Sequence, residues 1–411
     1  MGVYGGSRLG VKVGAAAAVR WLPRTEDARD PLHFLVRKRL LIEHPEQLAA
    51  AVARWQSAPW VALDTEFVQE STFRARLGLV QVAAGDEVAL VDAVRIPDLT
   101  PLAVIVSTSG TRKILHSGSG DLPVLRRATG APLAPLFDTQ IAAAIAGLGF
   151  GLSYAALILA LFDVTLEKGE TRTDWLRRPL SSEQLRYAGD DVDYLPEAAA
   201  ELEQRLVALG RLEWALEDSA TLASADADGP APGDAWRRIK GMDRHPAAVQ
   251  AVARELAAWR EREAARLDLA RPFLLRDETL LALARRDDVT LQDVVRLPGY
   301  DARRHSDHAA RWIEALVAAR QAVEARGPLV ESPVESVEDL ARRAALDEAI
   351  AALVARRAQE LSLPPELLLS RRQRAFALDA WGGRGSLSAA IGGFRGALFG
   401  DEIDALANVA G

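Results

Sequence analysis

The sequence predicts an α/β domain followed by two small all-α modules. Three observations carry this expectation. Short β-prone runs separated by turn-compatible segments crowd the stretch from Trp60 to Ala93. Helical periodicity then interleaves with further short strands as far as Leu209. Beyond that point only helical patterns remain, interrupted at two places where proline and small residues replace the periodicity. At 411 residues the chain exceeds what one hydrophobic core organises, which agrees with a division into two or three units.

In order along the chain, Trp60 to Phe67, Leu77 to Ala83 and Val88 to Ala93 read as a three-stranded meander. Lys113 to His116 and Leu133 to Phe137 read as further strands, and Leu122 to Ala128, Thr139 to Ala146, Ser153 to Leu161 and Ser182 to Leu209 as helices. The first break, "SATLASADADGPAPGD" from Ser219 to Asp234, has linker composition. Apolar faces return in Ala247 to Leu267, Asp277 to Arg285, Leu291 to Arg296 and Ala302 to Glu324. The second break is "RGPLVESPVES", Arg326 to Ser336. The expected organisation is a tail at 1–34, an α/β domain at 35–217, a linker at 218–234, a helical module at 235–326, a linker at 327–336 and a second helical module at 337–411.

Composition excludes several classes. Apolar residues at 49% and charged residues at 26% are ordinary for a globular chain. With no cysteine there is no disulfide, thiolate metal site or cysteine nucleophile, so any metal is held by carboxylate or histidine. No apolar stretch approaches the ~20 residues of a membrane span, so no membrane partner is expected, and the protein reads as soluble and cytoplasmic. Arg8, Lys12, Arg20 and Arg24 precede the first acid, Glu26, which fits a targeting peptide or, better, a disordered or misassigned start. A net charge of −7 argues against indiscriminate coating of nucleic acid but is compatible with acids gathered around a cation.

Three segments carry chemistry-bearing residues. In "VALDTEF", Asp64 and Glu66 are two apart in an apolar strand and project from one face. Alone, such a pair is most often a charged strand end; as a site, two buried like charges call for a hard divalent cation. In "YAGDD", Tyr187 and Asp191 are one helical turn apart, so a carboxylate that ligates metal and a phenol that positions water share a face. Asp190 and Asp193 are alternatives on spacing and read as surface charges. In "KILHSGSGDLPVL" a strand runs through a Gly/Ser turn into a helix starting near Asp121, where simple capping is the ordinary role of an acid. His116 ends the strand and reads as packed or hydrogen-bonded rather than ligating.

Together these segments resemble the ribonuclease D family of the DEDD exonuclease superfamily, in the subtype with a tyrosine in its third motif. The resemblance is carried in order by "DTEFVQESTFRARLGLVQVA", "KILHSGSGDLPVL", "FDTQIAAAIAG" and "KGETRTDWLRRPLSSEQLRYAGDDVDYL". It implies a ribonuclease H-like mixed sheet flanked by helices. It maps the family's acids onto Asp64, Glu66, Asp121 and Asp191 and its tyrosine onto Tyr187. It also implies two Mg²⁺ or Mn²⁺ ions that hydrolyse the RNA 3′ end and release nucleoside monophosphates. In that scheme Asp64, Glu66 and Asp191 hold the nucleophile-side ion, Asp64 bridges to the second, Asp121 acts partly through water, and Tyr187 orients the attacking water. Residues from about Trp236 to Ala325 resemble the helical HRDC domain, and "FALDAWGGRGSLSAAIGGFRGALFG" resembles a more divergent second copy.

The implied partner is RNA with an accessible 3′ end, tRNA precursors above all. Thr65, Phe67, His116 and Gln140 are candidates for substrate contact, although strand alternation turns Phe67 away from the acids and favours packing. Gln81 lies in a matched segment with no assigned contact. Arg237, Arg238, Lys240, Arg244, Arg254, Arg260, Arg262, Arg266 and Arg271 could meet RNA phosphates, but interleaved Glu255, Glu261 and Glu263 fit ion pairs equally well. Two rival readings are an exonuclease acting mainly on DNA and a nucleic-acid-binding scaffold without catalysis.

Overall fold

The computed structural model describes residues 37–167, 173–225, 231–326, 337–382 and 385–410. The expected tail and second linker lie outside them. Six strands form one mixed sheet: β1 (Lys38–Ile42), β2 (Trp60–Val68), β3 (Arg76–Ala84), β4 (Glu87–Asp92), β5 (Arg112–Leu115) and β6 (Leu136–Asp138), in the order β1-β4-β3-β2-β5-β6. The meander β2–β3–β4 is antiparallel, while β1 pairs parallel with β4, β5 with β2 and β6 with β5.

Eight helices complete this domain: α1 (Pro45–Trp55), α2 (Ala103–Ser107), α3 (Asp121–Thr129), α4 (Thr139–Ile145), α5 (Tyr154–Phe162), α6 (Ser182–Asp193), α7 (Leu195–Ala208) and α8 (Leu212–Ser224). Because both faces of the sheet are covered, β3 reads as a nearly continuous apolar run rather than an alternating one. Alternate residues nevertheless enter different cores. Val61 and Leu63 of β2 pack with α1, α2 and α3, whereas Trp60 and Ala62 pack with α4, α6 and α7. This parity places the next two residues on the face of Trp60 and Ala62, Asp64 and Glu66, under α6.

Several expectations change in detail. The sequence reading assigned no element to Lys38–Trp55, which forms β1 and α1. The single helix expected over Ser182 to Leu209 is broken at Tyr194, where Pro196 enters the first turn of α7, a position that needs no backbone donor. The linker expected at 218–234 begins later, since α8 continues to Ser224. Ser219 is fully buried, and its hydroxyl accepts from the Asp138 backbone N–H at 3.1 Å, so composition concealed a helix end packed on the sheet.

The next six helices, α9 (Ala247–Leu267), α10 (Arg271–Leu274), α11 (Asp277–Ala284), α12 (Leu291–Val294), α13 (Ala302–His305) and α14 (Ala309–Ala325), surround their own core, with Leu256, Leu280 and Trp312 buried in it. Phe73, from the β2–β3 connection, joins that core. The last five, α15 (Val337–Leu361), α16 (Pro365–Leu369), α17 (Arg371–Trp381), α18 (Leu387–Ile391) and α19 (Gly393–Ala410), instead share a continuous core with α5 and α8 of the first domain. Trp214 stacks on Phe394 at 4.8 Å, and Arg395 forms a two-pronged pair with Asp218 at 2.6 and 2.8 Å.

Candidate active site

Three of the predicted acids converge under α6. Asp64 and Glu66 project from β2, Asp191 from the facing turn of α6, and one carboxylate oxygen from each lies within 4.8 Å of the others. One turn earlier on the same helix, Tyr187 hydrogen-bonds the Asp191 side chain. Asp121 is the first residue of α3, a helix packed on the other side of the sheet, and its charge still reaches Asp64. Thr65 projects to that side, and its hydroxyl donates to the Asp121 carboxylate, with both residues buried.

The local folding explains this convergence. The Ser117–Gly118 turn that delivers Asp121 is clasped by Asp138, which accepts from both backbone N–H groups at 3.3 and 2.8 Å and also caps α4. The start of α6 is fixed by a capping box between Ser181 and Gln184. Arg178 anchors the preceding loop, donating to Asp92 at 2.5 and 2.7 Å and to the Gly78 carbonyl at 2.8 Å. Trp175, fully enclosed in the same loop, lies 6.1 Å from the Tyr187 ring. The β2–β3 register skips Gly78, and a Cβ there would lie 2.5 Å from the Trp175 carbonyl oxygen.

The crowding shows in the proton affinities. Burial, followed by the charges of Asp121, Asp191 and Glu66, drives the Asp64 carboxyl well above its ordinary range. Burial and then Asp191 and Asp121 push Glu66 up to about 8. Burial raises Asp191 to about 7 against the opposing Tyr187 hydrogen bond, and raises Asp121 to about 6 against the hydrogen bond from Thr65. Burial and the same acids raise the Tyr187 phenol, which therefore keeps its proton. The carboxyl groups of Asp64, Glu66 and Asp191, which resist ionisation together, form a hard-oxygen donor set suited to a divalent cation, whose charge would reverse these shifts. The residues present thus fit a hard divalent cation.

The remaining candidates are less free. His116 donates from Nε2 to the Leu152 carbonyl at 3.0 Å and meets the Thr139 hydroxyl at Nδ1 at 2.9 Å. Its burial lowers its pKa and keeps the ring neutral. Gln140 donates to the same Leu152 carbonyl at 2.8 Å. Both side chains brace the 147–153 loop. Phe67 is half-buried with its ring tip 3.5 Å from where a Cβ on Gly120 would stand, beside Asp121. Past Glu66, a polar groove of about 440 Å³ opens between Val68, Glu70, Thr72, Arg76 and Thr173.

A profile of the 3′–5′ exonuclease family matches residues 41–207, and the HRDC domain profile matches 249–316. Ribonuclease D from Escherichia coli K12 is 34% identical over 88% of this chain and 96% of its own length. That from Pseudomonas paraeruginosa is 36% identical over 80% and 87%. The crystal structure of Escherichia coli RNase D, an exoribonuclease involved in structured RNA processing, superposes with a TM-score of 0.79 at 32% identity, covering 90% of this chain and 99% of that one. The chain belongs to the ribonuclease D family. It is accordingly a 3′–5′ exoribonuclease, and its mixed sheet with flanking helices followed by a helical HRDC domain is the family's architecture. The catalytic core of RRP6 from Trypanosoma brucei shares the fold, with a TM-score of 0.56 at 20% identity.

Sequence reasoning missed several supporting residues. Asp138 was legible only as part of a matched segment, although an Asp one residue before a helix is a cap signal. Asp190 and Asp193, read as surface charges, pair with Arg39 of β1 and tie α6 across the sheet. Of the arginines offered to RNA, Arg237 pairs with Asp234, Arg260 with Asp277, Arg266 with Glu263 and Arg271 with Glu261, and Arg260 is buried. Arg254 and Arg237 sit over the Trp236 ring at 4.1 and 4.9 Å.

Proposed function

We propose that Asp64, Glu66 and Asp191 hold one divalent cation, Mg²⁺ or Mn²⁺, and that Asp64 and Asp121 hold a second. On this reading the chain trims RNA 3′ ends, releasing nucleoside monophosphates. The observation that carries the reading is the approach of three carboxylate oxygens, from two distant segments, to within 4.8 Å of one another. When bound, such ions activate water and stabilise the departing 3′ oxygen.

The protein's own residues do the rest. Tyr187 retains its proton, so it donates a hydrogen bond that aligns the attacking water and does not act as a base. Thr65 fixes the Asp121 carboxylate from below. Phe67 borders the acids and offers a face to the terminal base, while the groove beyond Val68 gives the following nucleotides a polar track. A frayed or single-stranded end suits this geometry, and tRNA precursors are the proposed substrates, in the cytoplasm. No helix among the described residues is long and apolar enough to cross a membrane.

The test is hydrolysis of a 3′-tailed tRNA and of matched RNA and DNA oligonucleotides in Mg²⁺, in Mn²⁺ and in chelator. Stepwise mononucleotide release from RNA, abolished by chelator, is the expected result. Faster release from DNA would overturn the substrate assignment, and release unaffected by chelator would overturn the metal assignment.

A further inference from the structure

Gln81 stands at the centre of β3 with no solvent exposure, and among the described residues neither its Nε2 nor its Oε1 has a hydrogen-bond partner. A buried primary amide left unpaired is costly, and methionine would fill the same volume without that cost. Such a group calls for a specific partner.

The sheet register says where that partner lies. Gln81 is paired directly with Asp64 across the antiparallel β2–β3 ladder. Opposed residues project to the same face with Cβ atoms about 4.5–5.5 Å apart. The face is fixed by neighbours of the same parity, since Leu79 and Ala83 on β3 and Trp60 and Ala62 on β2 all enter the core beneath α6. The unpartnered carboxamide therefore adjoins the acid that the metal-site reading assigns to both cations.

We propose that Gln81 is a positioning residue, whose Nε2–H group holds the Asp64 carboxylate in the orientation from which it binds divalent cation. The inference rests on the metal-site reading above. It deepens that reading by assigning to β3 a group that touches neither substrate nor ion. The amide has no other partner among the described residues, which leaves it available to that carboxylate. Hydrogen bonds from neighbouring groups to ligating carboxylates set metal affinity in this way.

The experiment is calorimetric titration of the full chain with Mn²⁺ in the absence of RNA, for the wild type and for Gln81→Met. The variant's Kd is expected to rise about 10–100-fold, its metal-free melting temperature is expected to equal or exceed that of the wild type, and raising Mg²⁺ is expected to recover most of kcat. An unchanged Kd, or a lower metal-free melting temperature with intact Mn²⁺ binding, would overturn the assignment and leave a packing role. Should Gln81→Met fail to fold, the wild type still decides: its Gln81 side-chain amide resonances must shift when Mg²⁺ is added, and resonances that stay put reject the proposal. A wild type that binds no divalent ion at all removes the metal-site reading itself, an outcome distinct from the others.

Discussion

Glu66 offers a test in which an active-site substitution should stabilise the protein. In the metal-free site its carboxyl is carried from an ordinary 4.5 to about 8 by burial and by Asp191 and Asp121. The folded protein therefore holds a proton that the unfolded chain releases, so stability is complete below the ordinary carboxylate range and is lost as pH rises towards 8. The full shift corresponds to roughly 5 kcal/mol at about 1.4 kcal/mol per pKa unit. Because Glu66 is partly open to solvent and shares charge with three neighbours, about 2–3 kcal/mol should survive screening. At ~2–4 °C per kcal/mol for a domain of this size, Glu66→Gln should melt about 5–10 °C higher than the wild type in EDTA at pH 8.5. At pH 5 the two should melt together. Comparing the pair cancels the opposite contribution of His116, whose burial favours the neutral ring in both proteins. Scanning calorimetry at the two pH values is the assay. A Glu66→Gln protein that melts below the wild type at pH 8.5, or whose difference from it is the same at both pH values, would refute the account of a mutually repelling cluster.

Further substitutions test the site and the contacts that support the fold. Asp64→Asn or Asp191→Asn should leave the circular dichroism spectrum unchanged and lower kcat on the order of 10³-fold, since metal-borne charge stabilisation is worth several kcal/mol; Tyr187→Phe, which loses one hydroxyl and keeps its shape, should cost about 10–100-fold. Gly78→Ala should destabilise by about 1–3 kcal/mol in thermal melts, because its Cβ meets the Trp175 carbonyl, a backbone atom that cannot swing aside. Arg395→Ala should strip Asp218 of its partner, cost up to about 3 kcal/mol and hasten proteolytic release of α15–α19.

The meander and the helices after it were legible because their periodicity is local: β2, β3 and β4 each fall within a residue or two of the runs read from the sequence. What escaped depended on long-range partners. Arg37, just before β1, and Arg39 within it look like surface residues until α6 and α7 supply Asp190, Asp193 and Glu197. Ser219 looked like linker because alanine, serine and threonine carry little periodic signal, yet its burial is settled by β6. Likewise spacing on single elements made Asp64, Glu66, Tyr187 and Asp191 candidates, and the family resemblance singled them out. That Thr65 serves Asp121, and that His116 and Gln140 are committed to the 147–153 loop, required the tertiary structure.

The site also explains why register is the property this sheet guards most closely. A one-residue slip of β2 against β3 would send Asp64 and Glu66 to the α3 face and bring Thr65 under α6, exchanging every functional contact at once. Hydrophobic parity opposes the slip at the start of β2, where Trp60, Val61, Ala62 and Leu63 are all buried and divided between two cores. Past Leu63 that restraint weakens, because Asp64 and Glu66 enter the acid cluster instead of a core. The skip at Gly78 takes over there, locked by the Trp175 carbonyl on one side and by Arg178 bridging Gly78 to Asp92 on the other. The "DWLRRP" segment thus earns its place far from the acids by fixing the strand on which two of them ride.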